Sequence, residues 1–123
     1  MKLKLIQVYE CLCDETRLRI LHLLSKTPLC VSHLQSALKL PQVKISKHLA
    51  YLKERGMVEA KRYENWMLYS LPSGSCPELE NNLKCLQDCC QEYPFFEKDL
   101  KHLEDLMEEI SLIKEKVNQS GGN

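Results

Sequence analysis

Apolar positions fall three and four residues apart over most of this chain, a period that predicts helices with one face toward a core. Leu3, Ile6 and Tyr9 set a first helix over residues 2–12. Asp14 is a good N-cap for a second helix through Leu18, Leu21, Leu23 and Leu24, which stops before Pro28. Leu34, Ala37 and Leu38 share one face of a short helix from Val31 to Leu38. Leu40-Pro41-Gln42 is a tight connection, and the fixed φ of Pro41 suits the opening of a fourth helix. That helix, Gln42 to Arg55, turns Ile45, Leu49 and Leu52 inward and ends at Gly56.

The period then drops to two. Val58, Ala60 and Arg62 alternate with Met57, Glu59 and Lys61, and Trp66 to Leu71 is rich in strand formers. Glu64-Asn65 between them reads as a hairpin turn. After Pro72-Ser73-Gly74, the run Ser75-Cys76-Pro77-Glu78 has the form of a capping box, with Ser75 as N-cap, opening a fifth helix to about Glu92. Pro94 interrupts. A long sixth helix follows, striped by Phe96, Leu100, Leu103, Met107, Ile110, Ile113 and Val117, and this stripe asks for a partner helix. The expected class is mainly α with a β-hairpin wing: a winged helix-turn-helix, dimeric through its N- and C-terminal helices. The expected division is a DNA-binding domain with dimerisation helices over 1–92, a C-terminal dimerisation helix over 93–118 and a disordered tail over 119–123.

Composition narrows the class. At 123 residues the chain suits about one domain, and 44% hydrophobic with 28% charged residues is ordinary for a folded one. No apolar run reaches membrane-spanning length and no signal peptide is evident, so no membrane partner and a cytoplasmic location are expected. The net charge is zero, but unevenly spread: +2 over 1–37, +5 over 38–63 and −7 over 64–123. A basic segment in a neutral chain can form a local phosphate-binding face, and the acidic end should lie away from it. Seven cysteines, an odd number, argue against a closed disulfide framework.

Several stretches together resemble the ArsR/SmtB family of metal-responsive repressors. Asp14-Glu15-Thr16-Arg17-Leu18-Arg19-Ile20-Leu21 looks like its entry helix, and Leu29-Cys30-Val31-Ser32-His33-Leu34 like its third helix. Lys44-Ile45-Ser46-Lys47-His48-Leu49 and Leu52-Lys53-Glu54-Arg55-Gly56-Met57-Val58 look like its recognition helix and exit, and Trp66 to Leu71 like its second wing strand. The resemblance covers roughly residues 5–72. It implies a homodimer that represses a resistance or homeostasis operon until a thiophilic or divalent ion relieves it.

With Ile45, Leu49 and Leu52 inward, Gln42, Lys44, Ser46, Lys47 and His48 lie on or beside the outward face, with the length and chemistry to read bases in a major groove of duplex operator DNA. Ser46 and His48 match positions that contact DNA in the resembled family. Arg62 on the wing can reach phosphate or minor groove. The turn Glu64-Asn65 departs from the family's basic or glycine-containing tip. A solvated polar face is the plain alternative for all of these.

Cys85, Cys89 and Cys90 gather at the end of the fifth helix. Cys85 and Cys89 are one turn apart on one face, with Cys90 about 100° further round. Three thiolates suit a soft ion. The resemblance makes that ion trivalent arsenic or antimony, taken up as arsenite or antimonite, with no organic cofactor. The alternative is that the cysteines are small buried hydrophobes. Cys30 matches one ligand of another arsenic site of the family, but Ser32 and Gln35 stand at its other two positions, so that site is not carried over. Cys11 and Cys13 form a C-x-C that either joins a thiol site or packs between helices. Between Ser75 and Glu92 there is no histidine, which disfavours zinc. Three further readings stay open: a repressor sensing thiol oxidation or persulfide, a small cysteine-dependent enzyme such as a metalloid reductase, and a protein-interaction module.

Overall fold

The structure is a computed structural model that describes residues 3–74, 76–89, 92–107, 111 and 115, apart from the side chains of Tyr63, Gln87 and Cys89. Its elements are α1 (Lys4–Leu12), α2 (Glu15–Leu24), β1 (Leu29–Cys30), α3 (Val31–Leu38), α4 (Gln42–Glu54), β2 (Glu59–Tyr63), β3 (Trp66–Ser70), α5 (Pro77–Cys89) and α6 (Pro94–Asp105). The arrangement is mainly α with a hairpin wing, as the periods require.

Local signals set most of the boundaries. The Asp14 carboxylate accepts the Arg17 backbone N–H at 3.0 Å and starts α2. Lys39, at φ 58°, ends α3 in a left-handed residue, and Gly56, at φ 75°, does the same just beyond α4. Pro41 is the N-cap of α4, extended at ψ 150°, and the helix starts at Gln42 as expected. Glu64 takes φ 50° in the two-residue hairpin turn.

The sheet holds one strand that alternation does not reveal. β1, only two residues long, pairs antiparallel with β3, Leu29 opposite Tyr69 and Cys30 opposite Leu68, giving the order β1-β3-β2. Cys30 also serves as N-cap of α3, its sulfur accepting a backbone N–H while His33 Nδ1 accepts the Cys30 N–H at 3.4 Å. At the start of α5 the expected cap, Ser75, lies outside the described residues. One residue further on, the Glu80 carboxylate accepts the Cys76 N–H at 3.5 Å.

The core unites Val8 and Cys11 of α1, Ile20, Leu21 and Leu23 of α2, Leu34 of α3, Ile45, Leu49 and Leu52 of α4, and Leu79 and Leu83 of α5. The first turns of α6 close it. Phe96 and Leu103 are buried and Leu100 is half-buried against α2 and α3 of the same chain. Asp99, 1% exposed, receives a two-pronged grip from Arg19, Nε to Oδ2 at 2.9 Å and Nη2 to Oδ1 at 2.8 Å. His102 Nδ1 lies 2.8 Å from the Ala37 carbonyl oxygen. This part of the apolar stripe therefore finds its cover at home. Ile110, Ile113 and Val117 of the same stripe, and the tail 119–123, lie outside the described residues.

Candidate nucleic-acid interface and thiol-bearing helix

Helix α4 is amphipathic because its buried positions, Ile45, Leu49 and Leu52, repeat every three to four residues. At about 100° per residue, the arc opposite this stripe is centred on Val43 and Lys47, flanked by Lys44 and Ser46. Gln42, Val43, Lys44, Ser46 and Lys47 are all exposed. The Pro41 cap offers no side-chain acceptor, so the first N–H groups of α4 are free for an anion, and the helix dipole adds positive potential there. Two lysines and a helix N-terminus thus converge on one exposed surface.

His48 sits differently. It is half-buried on the flank that meets α2, with Nε2 3.9 Å from Asp14 Oδ1. Burial lowers its pKa; the Asp14 carboxylate opposes this, and Arg17, Lys44 and Lys47 add to it. Arg62 is exposed on β2, opposite Met67, two residues before the turn that carries Glu64. The structure brings Gln42, Lys44, Ser46 and Lys47 together at one end of α4, sets His48 against the cap of α2, and puts Arg62 on the separate wing.

The polar pattern does not single out Val43, yet it is 80% exposed at the centre of this surface. The available signal is an apolar residue standing between Gln42 and Lys44, off the inward stripe. Behind the helix, Tyr51 is held between two guanidiniums, Arg55 at 3.5 Å and Arg17 at 4.1 Å from its ring centre. Arg17 also donates from Nε to the Cys11 carbonyl at 3.0 Å and from Nη2 to the Glu10 carbonyl at 3.1 Å. These contacts fix α4 to the α1–α2 corner and so fix the direction in which its exposed surface faces.

The cysteines separate into distinct environments. Cys11 is fully buried in the core, where burial pushes its thiol pKa up, while Cys13 next to the helix end is exposed. The C-x-C thus divides between core and surface, and Cys11 is a packing residue. Cys30 and Cys76 are buried. Cys85 is free and exposed on α5, with Cys89 one turn further along that helix. The side chain of Cys89 and all of Cys90 lie outside the described residues. Among the described residues no group of three or more His, Cys, Asp or Glu side chains could hold a metal ion. The sequence at the end of α5 places the sulfurs of Cys85, Cys89 and Cys90 beside the carboxylates Asp88 and Glu92, and it is the sulfurs that would suit a thiophilic ion. Among the described residues no helix is long and apolar enough to cross a membrane.

The sequence pattern of bacterial regulatory proteins of the arsR family matches residues 14–60, from the cap of α2 through α4 to the first wing strand. The arsenic resistance transcriptional regulator ArsR1 of Pseudomonas putida KT2440 is 39% identical over 87 residues, 70% of this chain and 68% of that protein. The arsenical resistance operon repressor of Escherichia coli K12 is 38% identical over 91 residues, 70% of this chain and 78% of that protein. The chain belongs to the ArsR family. Among solved structures, HlyU from Vibrio cholerae N16961 superposes with a TM-score of 0.63 at 30% identity, covering 69% of this chain and 89% of that one. This ArsR-family chain is a transcriptional repressor with a DNA-binding winged helix-turn-helix fold, and its relatives are regulators rather than enzymes.

Proposed function

We propose that the protein represses an arsenic-resistance operon as a homodimer and leaves its operator when trivalent arsenic or antimony binds Cys85, Cys89 and Cys90. The observation that carries this reading is the position of Cys85: an exposed thiol on α5, the helix that packs beside α1. α1 in turn exposes Leu5, Ile6 and Tyr9, an unpartnered apolar face of the kind that covers itself with a second copy. The arsenic-resistance relatives support the inducer class. Residues 1–92 form the winged domain, and residues 93–118 close it and extend the dimer contact.

Each protomer presents Gln42, Lys44, Ser46 and Lys47 to a major groove, with Val43 against a thymine methyl. His48 holds the recognition helix by way of Asp14 and reaches DNA from its flank, and Arg62 meets backbone phosphate. Two recognition helices must meet successive major grooves about 34 Å apart, so their separation is set by the dimer contact. A ligand that favours another contact geometry weakens DNA binding by as much as it discriminates between the two states.

The test is release of fluorescent operator DNA, followed by anisotropy, as arsenite is added to the reduced protein. Wild type is expected to release DNA, and Cys89→Ser/Cys90→Ser to hold it at arsenite concentrations at least about tenfold higher, a loss of ~1.4 kcal/mol in coupling. Equal release by both would move the site away from α5.

A further inference from the structure

The rim of one cleft carries a thiol, and its walls are aromatic. The cleft, about 370 Å³, lies between α2, α5 and α6 and is lined by Leu18, Cys85, Leu86, Tyr93, Phe95 and Phe96. The three rings form a cluster: Phe95 and Phe96 are tilted with centres 4.4 Å apart, and Tyr93 stands 6.0 Å from each, edge-on to Phe96. Phe96 is buried at the base, while Tyr93 is exposed at the mouth. An inorganic arsenic centre binding sulfur has no use for such walls. A flat apolar substituent does, since aromatic faces and edges pack favourably on one another and the area leaves water.

We propose that this cleft receives the organic group of an aryl-substituted trivalent arsenical whose arsenic is bound by Cys85. The inference rests on thiol binding at α5 as read above, and adds a second recognition element to it. A dry cavity of about 150 Å³ is enough to take a benzene molecule, so one phenyl ring fits with room to spare. The chemistry needs no oxidant. In an acid of the form R–As(OH)₂, one As–OH bond breaks as one As–S bond forms, and the thiol proton leaves with the hydroxide as water. A second thiol repeats the exchange with the second hydroxide. Arsenic stays trivalent throughout, and the carbon substituent stays on arsenic, facing the rings.

Two probes with the same two exchangeable hydroxides isolate the cleft: phenylarsonous acid and methylarsonous acid. Their binding to the full-length reduced protein is measured directly, by protection of thiols from alkylation, and normalised to their binding to a simple dithiol in solution. The cleft predicts a phenyl preference over methyl of at least about tenfold beyond the dithiol reference, the scale of burying one aromatic ring. Leu86→Trp, which fills the cleft, should remove that excess. Phe95→Leu, which strips one wall of its ring, should reduce it and decides the matter if Leu86→Trp does not fold. No excess in wild type, or an excess that survives both substitutions, overturns the proposal. Binding with the expected preference but without release of DNA would leave the cleft in place and overturn the coupling of α5 to DNA. Failure of both arsenicals to bind overturns thiol binding at α5 and the cleft proposal with it.

Discussion

Residues 29–70 are shaped mostly by contacts between near neighbours, whereas α6 is held by contacts that span most of the chain. In the first region α3 turns into α4 through three residues, and β2 pairs with β3 through a two-residue turn. In the second, Arg19 and Asp99 meet across eighty positions of sequence, and His102 reaches the Ala37 carbonyl across sixty-five. Local contacts cost little loop-closure entropy, so the exposed surface of α4 can be rigid by itself. α6 is attached to the rest of the chain by extensive long-range packing on α2 and α3, with Phe96 and Leu103 buried there, and the closure entropy of those distant contacts has to be offset when the chain folds.

Asp99→Ala tests that attachment with the largest expected effect. It strands Arg19 beside a buried vacancy, and breaking a buried pair by removing one partner typically costs about 3 kcal/mol. The urea midpoint should fall accordingly, and hydrogen exchange should rise more along α6 than along α4. Equal exchange in both helices would erase the distinction between the two regions.

Lys47→Ala examines the other side of the comparison. Lys47 sits at the centre of the exposed α4 surface, touches nothing in the core, and should be silent for folding. Loss of one phosphate contact should flatten the slope of log affinity against log salt by roughly one unit. The same substitution at Arg62, on a wing whose turn carries a glutamate, should flatten it less. A lowered thermal midpoint for Lys47→Ala, or an unchanged salt slope, would place the DNA-reading face elsewhere.

The sequence spells out the first region more fully than the second, for reasons of range. Gly56 and the Ile45, Leu49, Leu52 stripe act through residues three or four away, as Asp14 does at the start of α2, so their effects can be read directly from spacing. β1 escapes that reading because two residues carry no alternation, and its only reason to be a strand is β3, nearly forty positions on. The stripe of α6 announces a buried face correctly but not what covers it. Periodicity gives no address, and Arg19, the residue that fixes the address, looks in sequence like any exposed charge on α2. The same holds for the cleft beside Cys85. The spacing of the cysteines along α5 is visible in the chain, but the approach of Leu18 and Phe96 to that helix is not.

The smallest effect joins the two regions through His22. This residue closes α2, is 1% exposed, and meets Phe96 of α6 edge-on with ring centres 4.8 Å apart. Neither ring nitrogen has a hydrogen-bond partner among the described residues. Burial pushes its pKa below the ordinary 6.5; the nearby Lys26 charge adds to this, and the Asp99 carboxylate opposes it. The sign follows from proton counting. Below 6.5 the unfolded chain takes up a proton at this position that the folded chain resists, so folding loses stability as pH falls and regains it above 6.5. His48, lowered in the same direction by burial, contributes to the same slope. His22→Phe keeps a ring of similar size against Phe96 and removes the titration. Its thermal midpoint should therefore fall less steeply than that of wild type between neutral and mildly acidic pH, while the two proteins converge at neutral pH. Because His22 touches α6 and His48 touches the cap of α2, hydrogen exchange separates the two contributions: α6 should loosen with acid in wild type and not in His22→Phe. An identical acid response in the two proteins would mean that His22 stays neutral without strain and that the junction of α2 with α6 carries no pH dependence.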